Sequence, residues 1–544
     1  MQEPSHNLIE ALRFAKTFHG SVEVVSRSVT SQQTHHYCYR DAWPRVNQLA
    51  HALRRLDGRS GDRIATLAWN THRHWEAWYA ISGMGAVCHT VNLRLHDDQL
   101  KYVLQHAGSR FLLIDPPLGE QFESVLLPLL KSEESALERV IVLCDEPHLP
   151  ESEVAELLCY ESLLSEAAEE SDPSEDYPWP ELTFDSPSSL CYTSGTTGRP
   201  KGVLYSHGSN MLHARATMAK GALGIGCDDS VLMVVPMFHA NSWGLAYSCP
   251  MAGAKLVLPG NQLDGEGLYQ ILADENITFT AGVPAVWNGL LEHMTAKGVE
   301  LPCLDEINMG GTPPPRKVIE EFDKWGIDVI HGWGMTEMSP VGTICRLKSY
   351  MQSWPRSEQL AQLEKQGLPL FGVEMKIVDE LDEELPHDGE SCGCLLVRGP
   401  WIVDRYFGES EDCLEADGWF DTGDLANIDS HGYLQVVDRV KDLVKSGGEW
   451  ISSTQLEGWM LEHPQVELAA VIAVVDEKWG ERPLMILQTK AGSTLSREAV
   501  HEFLAGKAPK WWMPDRVECL SELPLTGSGK VSKLKLRELF SSCG

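Results

Sequence analysis

Apolar positions along the chain follow two periods. Asp41 reads as a helix N-cap with Pro44 close behind it, and Val46, Leu49, Leu53 and Leu56 then follow at the spacing of one helical face. Short, β-rich apolar runs come next, at Arg63–Leu67, Phe111–Asp115, Val140–Cys144, Val231–Pro236, Lys255–Pro259 and Asp328–His331. Helix-like segments separate many of them, and that order predicts layered α/β structure with largely parallel sheets.

Two breaks interrupt the pattern. Glu151 to Asp185 is acidic and rich in Ser and Pro, which reads as a solvated helix and linker. It ends where the apolar run Ser189–Tyr192 begins. A second boundary falls near Asp438–Asp442, after the strand-like run Tyr433–Val437. Beyond it lies a segment with its own α+β pattern: Leu456–Leu461, Ala469–Val475, Leu484–Thr489 and Arg497–Ala505. The expectation is a large, multi-sheet α/β N-terminal domain over 1–438 and a small, mobile α+β C-terminal domain over 439–544.

Composition changes this picture little. Of 544 residues, 43% are hydrophobic and 23% charged, which is ordinary for a globular chain. The net charge of −33 matters more. It opposes binding to nucleic acid or anionic membranes, so a phosphate site should stand out as a local island of Lys, Arg, Ser, Thr and Gly. Met1–Lys16 lacks the basic and apolar regions of a secretory signal, and no apolar run is long enough to span a bilayer. The 14 cysteines are scattered, and the closest pair, Cys392 and Cys394, lacks C-x-x-C spacing. They read as reduced thiols, and the compartment as cytoplasmic.

One such island is present. Thr193-Ser194-Gly195-Thr196-Thr197-Gly198-Arg199-Pro200-Lys201-Gly202 follows the apolar Leu190–Tyr192, and Ser206 could cap a helix after it. Hydroxyls flank glycines that let the backbone fold around an anion, and Lys201 adds a point charge. It is not a Walker A loop, because Gly202 rather than Ser or Thr follows Lys201. Taken alone, such a run is as readily a surface loop as a triphosphate cradle.

With Tyr192 and Val203, this run resembles the phosphate-loop signature of the adenylate-forming superfamily of acyl- and aryl-CoA synthetases, peptide-synthetase adenylation domains and beetle luciferases. Further motifs follow in that superfamily's order and cover most of the chain. Gly310-Gly311-Thr312-Pro313 resembles its adenine-side loop. His331-Gly332-Trp333-Gly334-Met335-Thr336-Glu337 resembles the next motif, with Trp333 where many relatives have Tyr. There the resemblance implies ring stacking on adenine, Thr336 on a phosphate oxygen, and Glu337 with Thr196 on Mg²⁺. Trp419-Phe-Asp-Thr-Gly-Asp424 resembles the ribose motif, with Arg439 also reaching the ribose. Asp438 stands before this Arg where most relatives have Gly.

The same resemblance implies a hinge at Lys441. It implies a loop for thioester formation at Lys445-Ser446-Gly447-Gly448-Glu449, with Lys445 assigned a catalytic part and the other four coenzyme A. It also implies a catalytic lysine at Lys530 in Leu523-Pro-Leu-Thr-Gly-Ser-Gly-Lys530. Val235-Pro-Met-Phe-His-Ala-Asn-Ser-Trp243 resembles the acyl-site motif. His239 then stands where pantetheine meets the acyl group, and Trp243, Gly310, Gly311, Trp333 and Val341 wall the pocket.

The expected function is therefore an ATP-dependent acid–CoA ligase using ATP, coenzyme A, Mg²⁺ and a carboxylic acid. The motifs resemble most those of bacterial medium-chain fatty acyl-CoA ligases and 3-methylmercaptopropionate–CoA ligases. Relatives are often dimers, so a homodimer is carried over. Two alternatives stay open: transfer of the acyl group to a carrier protein, and a non-catalytic nucleotide-binding relative. The second would be marked by loss of Lys530, Glu337 or Arg439, and all three are present.

Overall fold

The apolar runs form strands wherever both faces can be covered. A computed structural model of the protein describes residues 5–31, 33–116, 119–151, 156–170, 175–193, 199–415, 417–447, 449–490, 493–525 and 531–541. Within it, a seven-stranded sheet runs in the spatial order Leu157–Cys159, Arg139–Val142, Phe111–Ile114, Arg63–Leu67, Val87–Thr90, Pro187–Tyr192 and Gly202–Ser206. Its neighbours are parallel except the last pair, which is an antiparallel hairpin. Phe111–Ile114 is buried at all four positions, as a parallel strand covered on both faces should be.

A nine-stranded sheet holds a parallel centre, from Asp328–Gly334 through Glu306–Gly310, Phe279–Gly282, Ser230–Leu232 and Lys255–Leu258 to Glu23–Arg27. Val24 of the first strand pairs with Leu256, far along the chain. Antiparallel strands close both edges. A four-stranded antiparallel sheet (Glu374–Val378, Gly393–Arg398, Phe420–Ile428, Leu434–Arg439) completes the larger N-terminal domain. Its core includes fully buried Trp75, Tyr39, Tyr79 and Tyr247. Full burial of one such side chain contributes roughly 1.5–3 kcal/mol or more.

The smaller C-terminal domain has a five-stranded sheet with helices Ser453–Leu461, Arg497–Leu504 and Lys533–Ser541. Its cores, around Leu456, Val471 and Met485 and around Ile472, Leu484 and Leu536, are distinct from that of the larger domain. The mixed α/β architecture is as expected. Among the described residues no helix is long and apolar enough to cross a membrane.

Three local readings differ from the structure. The first helix of the 39–56 region begins at Tyr39, so Asp41 is its third residue and not its cap. The Asp41 carboxylate instead accepts from the backbone N–H of Cys38 at 3.1 Å, because a strand (Thr34–Cys38) runs straight into the helix. Val231–Pro236 keeps strand pairing only to Leu232. The acidic stretch is also less detached than its composition predicts. Leu157–Cys159 is an edge strand, and fully buried Tyr160 donates its hydroxyl to Glu76 at 2.7 Å.

Candidate active site

The strand Pro187–Tyr192 delivers Thr193 at the end of the hairpin, where its N–H donates to the Lys201 carbonyl at 2.9 Å. Ser194, Gly195, Thr196 and Thr197 lie outside the described residues. Beyond the turn, Lys201 places its ammonium over the Tyr406 ring, 4.5 Å from the centroid. The Tyr406 hydroxyl donates to Oε1 of Glu337 at 2.9 Å. Burial, reinforced by Glu337, pushes the Tyr406 phenol up, so it stays a donor. Glu337 is only 8% exposed.

Segment 401–407 closes this side. Val403 N–H donates to the Glu337 carbonyl at 2.8 Å, and Phe407 N–H to the Gly202 carbonyl at 2.8 Å. Tyr205, across the hairpin, donates to the Thr336 carbonyl at 2.6 Å. The hairpin, the Thr336–Glu337 turn and Tyr406 therefore form one hydrogen-bonded unit.

Strands Glu306–Gly310 and Asp328–Gly334 lie side by side, with Gly310 opposite Gly332. A Cβ on Gly310 would stand 2.8 Å from the Trp243 ring and 2.9 Å from the Gly332 carbonyl, so only glycine fits there. Gly311 has φ +82°, and Thr312 and Pro313 follow in an irregular segment. His331 is buried, and its Nδ1 lies 3.2 Å from the Glu364 carbonyl. Burial lowers its pKa to about 4 and keeps it neutral. Trp333 is half-buried against Gly342. Met335 N–H donates to the Pro340 carbonyl at 3.1 Å.

His239 is half-buried and precedes an unusual turn. Ala240, Asn241, Ser242 and Trp243 all have positive φ, between +45° and +55°, one left-handed turn of four non-glycine residues. Such backbone costs about 1–2 kcal/mol per residue and persists only where surroundings compel it. Here they do. Fully buried Asn241 accepts from Ser189 at 3.2 Å and donates to Asn210 at 2.9 Å, and Ser242 donates to the Val235 carbonyl at 3.0 Å. Gly244, next to Trp243, and Val341 both lie against His213. Its Nε2 accepts from Val341 N–H at 3.0 Å, and its Nδ1 would lie 2.8 Å from a Cβ on Gly244. Burial lowers the His213 pKa to about 3, which keeps the ring an acceptor.

Asp424 and Arg439 face each other across strands Phe420–Ile428 and Leu434–Arg439, with Arg439 Nε 2.7 Å from the buried Asp424 carboxylate. Lys441 sits in the following turn, its carbonyl accepting from Arg537 at 3.2 Å. Lys445 and Ser446 end one strand and Glu449 starts the next. Gly447, φ +60°, makes the turn against Trp479, and its N–H donates to the Trp479 carbonyl at 2.7 Å. The Lys445 ammonium lies over Trp450 at 4.9 Å. Gly448 and Lys530 lie outside the described residues, the latter in a segment flanked by the bridge Leu525↔Val531.

Sequence reasoning did not single out Tyr406, Tyr205, His213, Asn241 or Asn308. Buried Asn308 has no hydrogen-bond partner for Oδ1 among the described residues, and that atom would stand 3.2 Å from a Cβ on Gly332. Only Asn241 stood inside a motif already quoted.

Two family profiles match the chain: AMP-binding enzyme over residues 13–407 and AMP-binding enzyme C-terminal domain over 455–530. A medium-chain-fatty-acid–CoA ligase of Ectopseudomonas oleovorans is 41% identical over 530 residues, covering 97% of this chain and 94% of the relative. A 3-methylmercaptopropionyl-CoA ligase of Ruegeria lacuscaerulensis is 42% identical over 534 residues, covering 97% and 96%. The solved structure of o-succinylbenzoate coenzyme A synthetase from Bacillus subtilis, in complex with ATP and magnesium ion, superposes with TM-score 0.79 at 25% identity, covering 98% of this chain and 99% of that one.

Proposed function

The chain belongs to the AMP-binding enzyme family, and from that membership we propose that it is an AMP-forming acid–CoA ligase. A carboxylic acid and ATP give acyl-AMP and pyrophosphate, and acyl-AMP and coenzyme A then give acyl-CoA and AMP. The observation that carries the reading is the Lys201–Tyr406–Glu337 chain beside the hairpin. It sets a fixed cation and a buried carboxylate on either side of one phenol.

In the first step two anions must meet, so the protein's work is positioning and charge neutralisation. Lys201 with Thr193, Ser194, Gly195, Thr196 and Thr197 would hold the β- and γ-phosphates, and Thr336 would donate to a phosphate oxygen. Gly311–Pro313 and Trp333 would flank adenine, with His331 and Gly332 contributing backbone. Asp424 would accept from the ribose hydroxyls, oriented by Arg439. Lys530 would bridge the acid's carboxylate and the α-phosphate.

The donor set suits a hard cation. With one oxygen of Glu337 fixed by Tyr406, the carboxylate and the Thr196 hydroxyl would hold Mg²⁺, which when bound neutralises pyrophosphate charge. In the second step the small domain would turn about Lys441, withdrawing Lys530 and bringing in Lys445–Glu449, with Gly447 and Gly448 leaving room for pantetheine.

The acyl chain would lie among His239, Trp243, Gly310, Gly311, Trp333 and Val341. The acid is a linear, largely apolar one of short or medium length, of the kind the two curated relatives are named for. The cytoplasm is the proposed compartment and a homodimer the proposed assembly, to be read by sedimentation.

The deciding assay is AMP release from ATP, Mg²⁺ and coenzyme A over acids from acetate to dodecanoate, with 3-methylmercaptopropionate and benzoate included. Release that needs both acid and coenzyme A is expected, as is its collapse in Lys530→Ala. Pyrophosphate exchange without thioester would reassign the second-step acceptor. Wild-type acyl-AMP formation in Lys530→Ala would remove that residue from the mechanism.

A further inference from the structure

The strand Leu434–Arg439 is part of the larger domain. Asp438 sits opposite Leu425, and Ala426, Ile428 and Leu434 lie in the main core. The helix Ser453–Leu461 is part of the smaller one, where Leu456 and Met460 pack on Val471 and Met485. Only residues 440–443 separate that strand from the first strand of the small sheet, Val444–Ser446.

Asp438 reaches across this junction. Its Oδ2 accepts from the Ser453 N–H at 2.5 Å, the Ser453 hydroxyl at 2.7 Å and the Thr454 N–H at 3.2 Å. Its Oδ1 accepts from the Thr454 hydroxyl at 3.0 Å. A carboxylate against the first N–H groups of a helix meets donors that have no partner within that helix. Ser452 adds one more tie, donating to the Val437 carbonyl at 2.8 Å. Behind Ser453, the Lys533 ammonium lies 2.6 Å from the same hydroxyl and 2.7 Å from Glu457. Lys533 stands three residues after Lys530 in the sequence.

We infer that Asp438 is a positioning residue, a latch that fixes one orientation of the small domain and so sets the balance between the two half-reactions. This rests on the reading that the small domain turns about 440–443. Any such turn carries Ser453 and Thr454 away from Asp438, because one side is held in a sheet of the larger domain and the other in the small domain's helix. The carboxylate, 2% exposed, then loses four donors at once. The latched orientation is favoured by those bonds, and so is whichever half-reaction uses it. Most members of the superfamily resembled here have glycine at this place, so their backbone does without the latch.

The test compares two rates in the full-length enzyme: acid-dependent ATP–pyrophosphate exchange, and thioester formation from pre-formed acyl-AMP and coenzyme A. In Asp438→Gly their ratio should move by about tenfold or more, the scale of a lost charged hydrogen bond. The Ser453→Ala, Thr454→Val double variant, which leaves two backbone donors, should move the ratio the same way by less. Combined with Asp438→Gly it should add little. It also carries the test where Asp438→Gly folds poorly. Equal change in both rates, or a ratio within about twofold of wild type in both variants, overturns the latch. A wild type with no acid-dependent exchange would instead overturn the ligase reading, before any variant is compared.

Discussion

The hydroxyl of Tyr406 donates to Glu337 at 2.9 Å while its ring lies under the Lys201 ammonium, 4.5 Å from the centroid. One side chain thus fixes an anion by its edge and a cation by its face. Tyr406→Phe keeps the face and removes the hydrogen bond. A hydrogen bond to a charged group is worth about 1.5–3 kcal/mol. The half-saturating Mg²⁺ concentration for pyrophosphate exchange should rise roughly ten- to a hundredfold, with thermal stability nearly kept. An unchanged Mg²⁺ titration would separate Tyr406 from the metal site.

Gly310 and Trp243 set the second expectation. A methyl group at Gly310 would meet the Trp243 ring at 2.8 Å and the Gly332 backbone at 2.9 Å, and backbone does not yield cheaply. Gly310→Ala should cost about 1–3 kcal/mol of stability. If the acyl chain lies there, KM should rise more for long acids than for short ones while KM for ATP stays put. A uniform rise across the acid panel would place the chain elsewhere.

The left-handed turn separates two causes of instability. Asn241→Ala and Asn241→Gly both strand Ser189 and Asn210, but only alanine must also hold φ +55°. Alanine should therefore be the more destabilising in urea unfolding, by about 1 kcal/mol. Equal losses would mean the backbone stores no strain at that residue.

Acid should unfold the protein early. His74, His207 and His331 are lowered from 6.5 to about 4, and His89 and His213 to about 3, all by burial. Between those values and 6.5 the unfolded chain binds the extra protons, so stability falls as pH falls through that window. Going from pH 7.5 to 5.5 should cost up to about 1.3 kcal/mol per ring. Asp115 works the other way: burial raises it to about 7, so its neutral form favours the fold at the lower pH. Burial also lowers His35, His51 and His72 and raises Asp328 and Glu457, so the lowered rings outnumber the raised carboxyls and the urea midpoint should drop at pH 5.5. A midpoint that rises would show that the rings do not stay neutral.

Much of this was legible in the sequence because the relevant signals are local. Strand runs such as Arg63–Leu67 are bounded as expected, since a doubly covered parallel strand is buried at nearly every position and so largely apolar. Gly310, Trp333 and Glu337 stand in contiguous motifs. Tyr406 and His213 were not legible, because what makes them matter is contact across the fold with Glu337, some seventy residues away, and with Val341, more than a hundred away. Neither lies in a run whose composition suggests chemistry. The edge strand Leu157–Cys159 was hidden for a different reason. Three residues amid Glu and Ser carry too little pattern, and burial of Tyr160 on Glu76 is a tertiary effect.

The pairing of Val24 with Leu256 also dates the assembly of the molecule. A ribosome adding about 5–20 residues per second makes strand Glu23–Arg27 roughly ten to fifty seconds before the strand it must lie beside. Until then its partner on one side is only the neighbouring Thr34–Cys38. The nascent chain therefore carries an open apolar edge through nearly the first half of its synthesis, and the first strand to be made waits for one completed more than two hundred residues later.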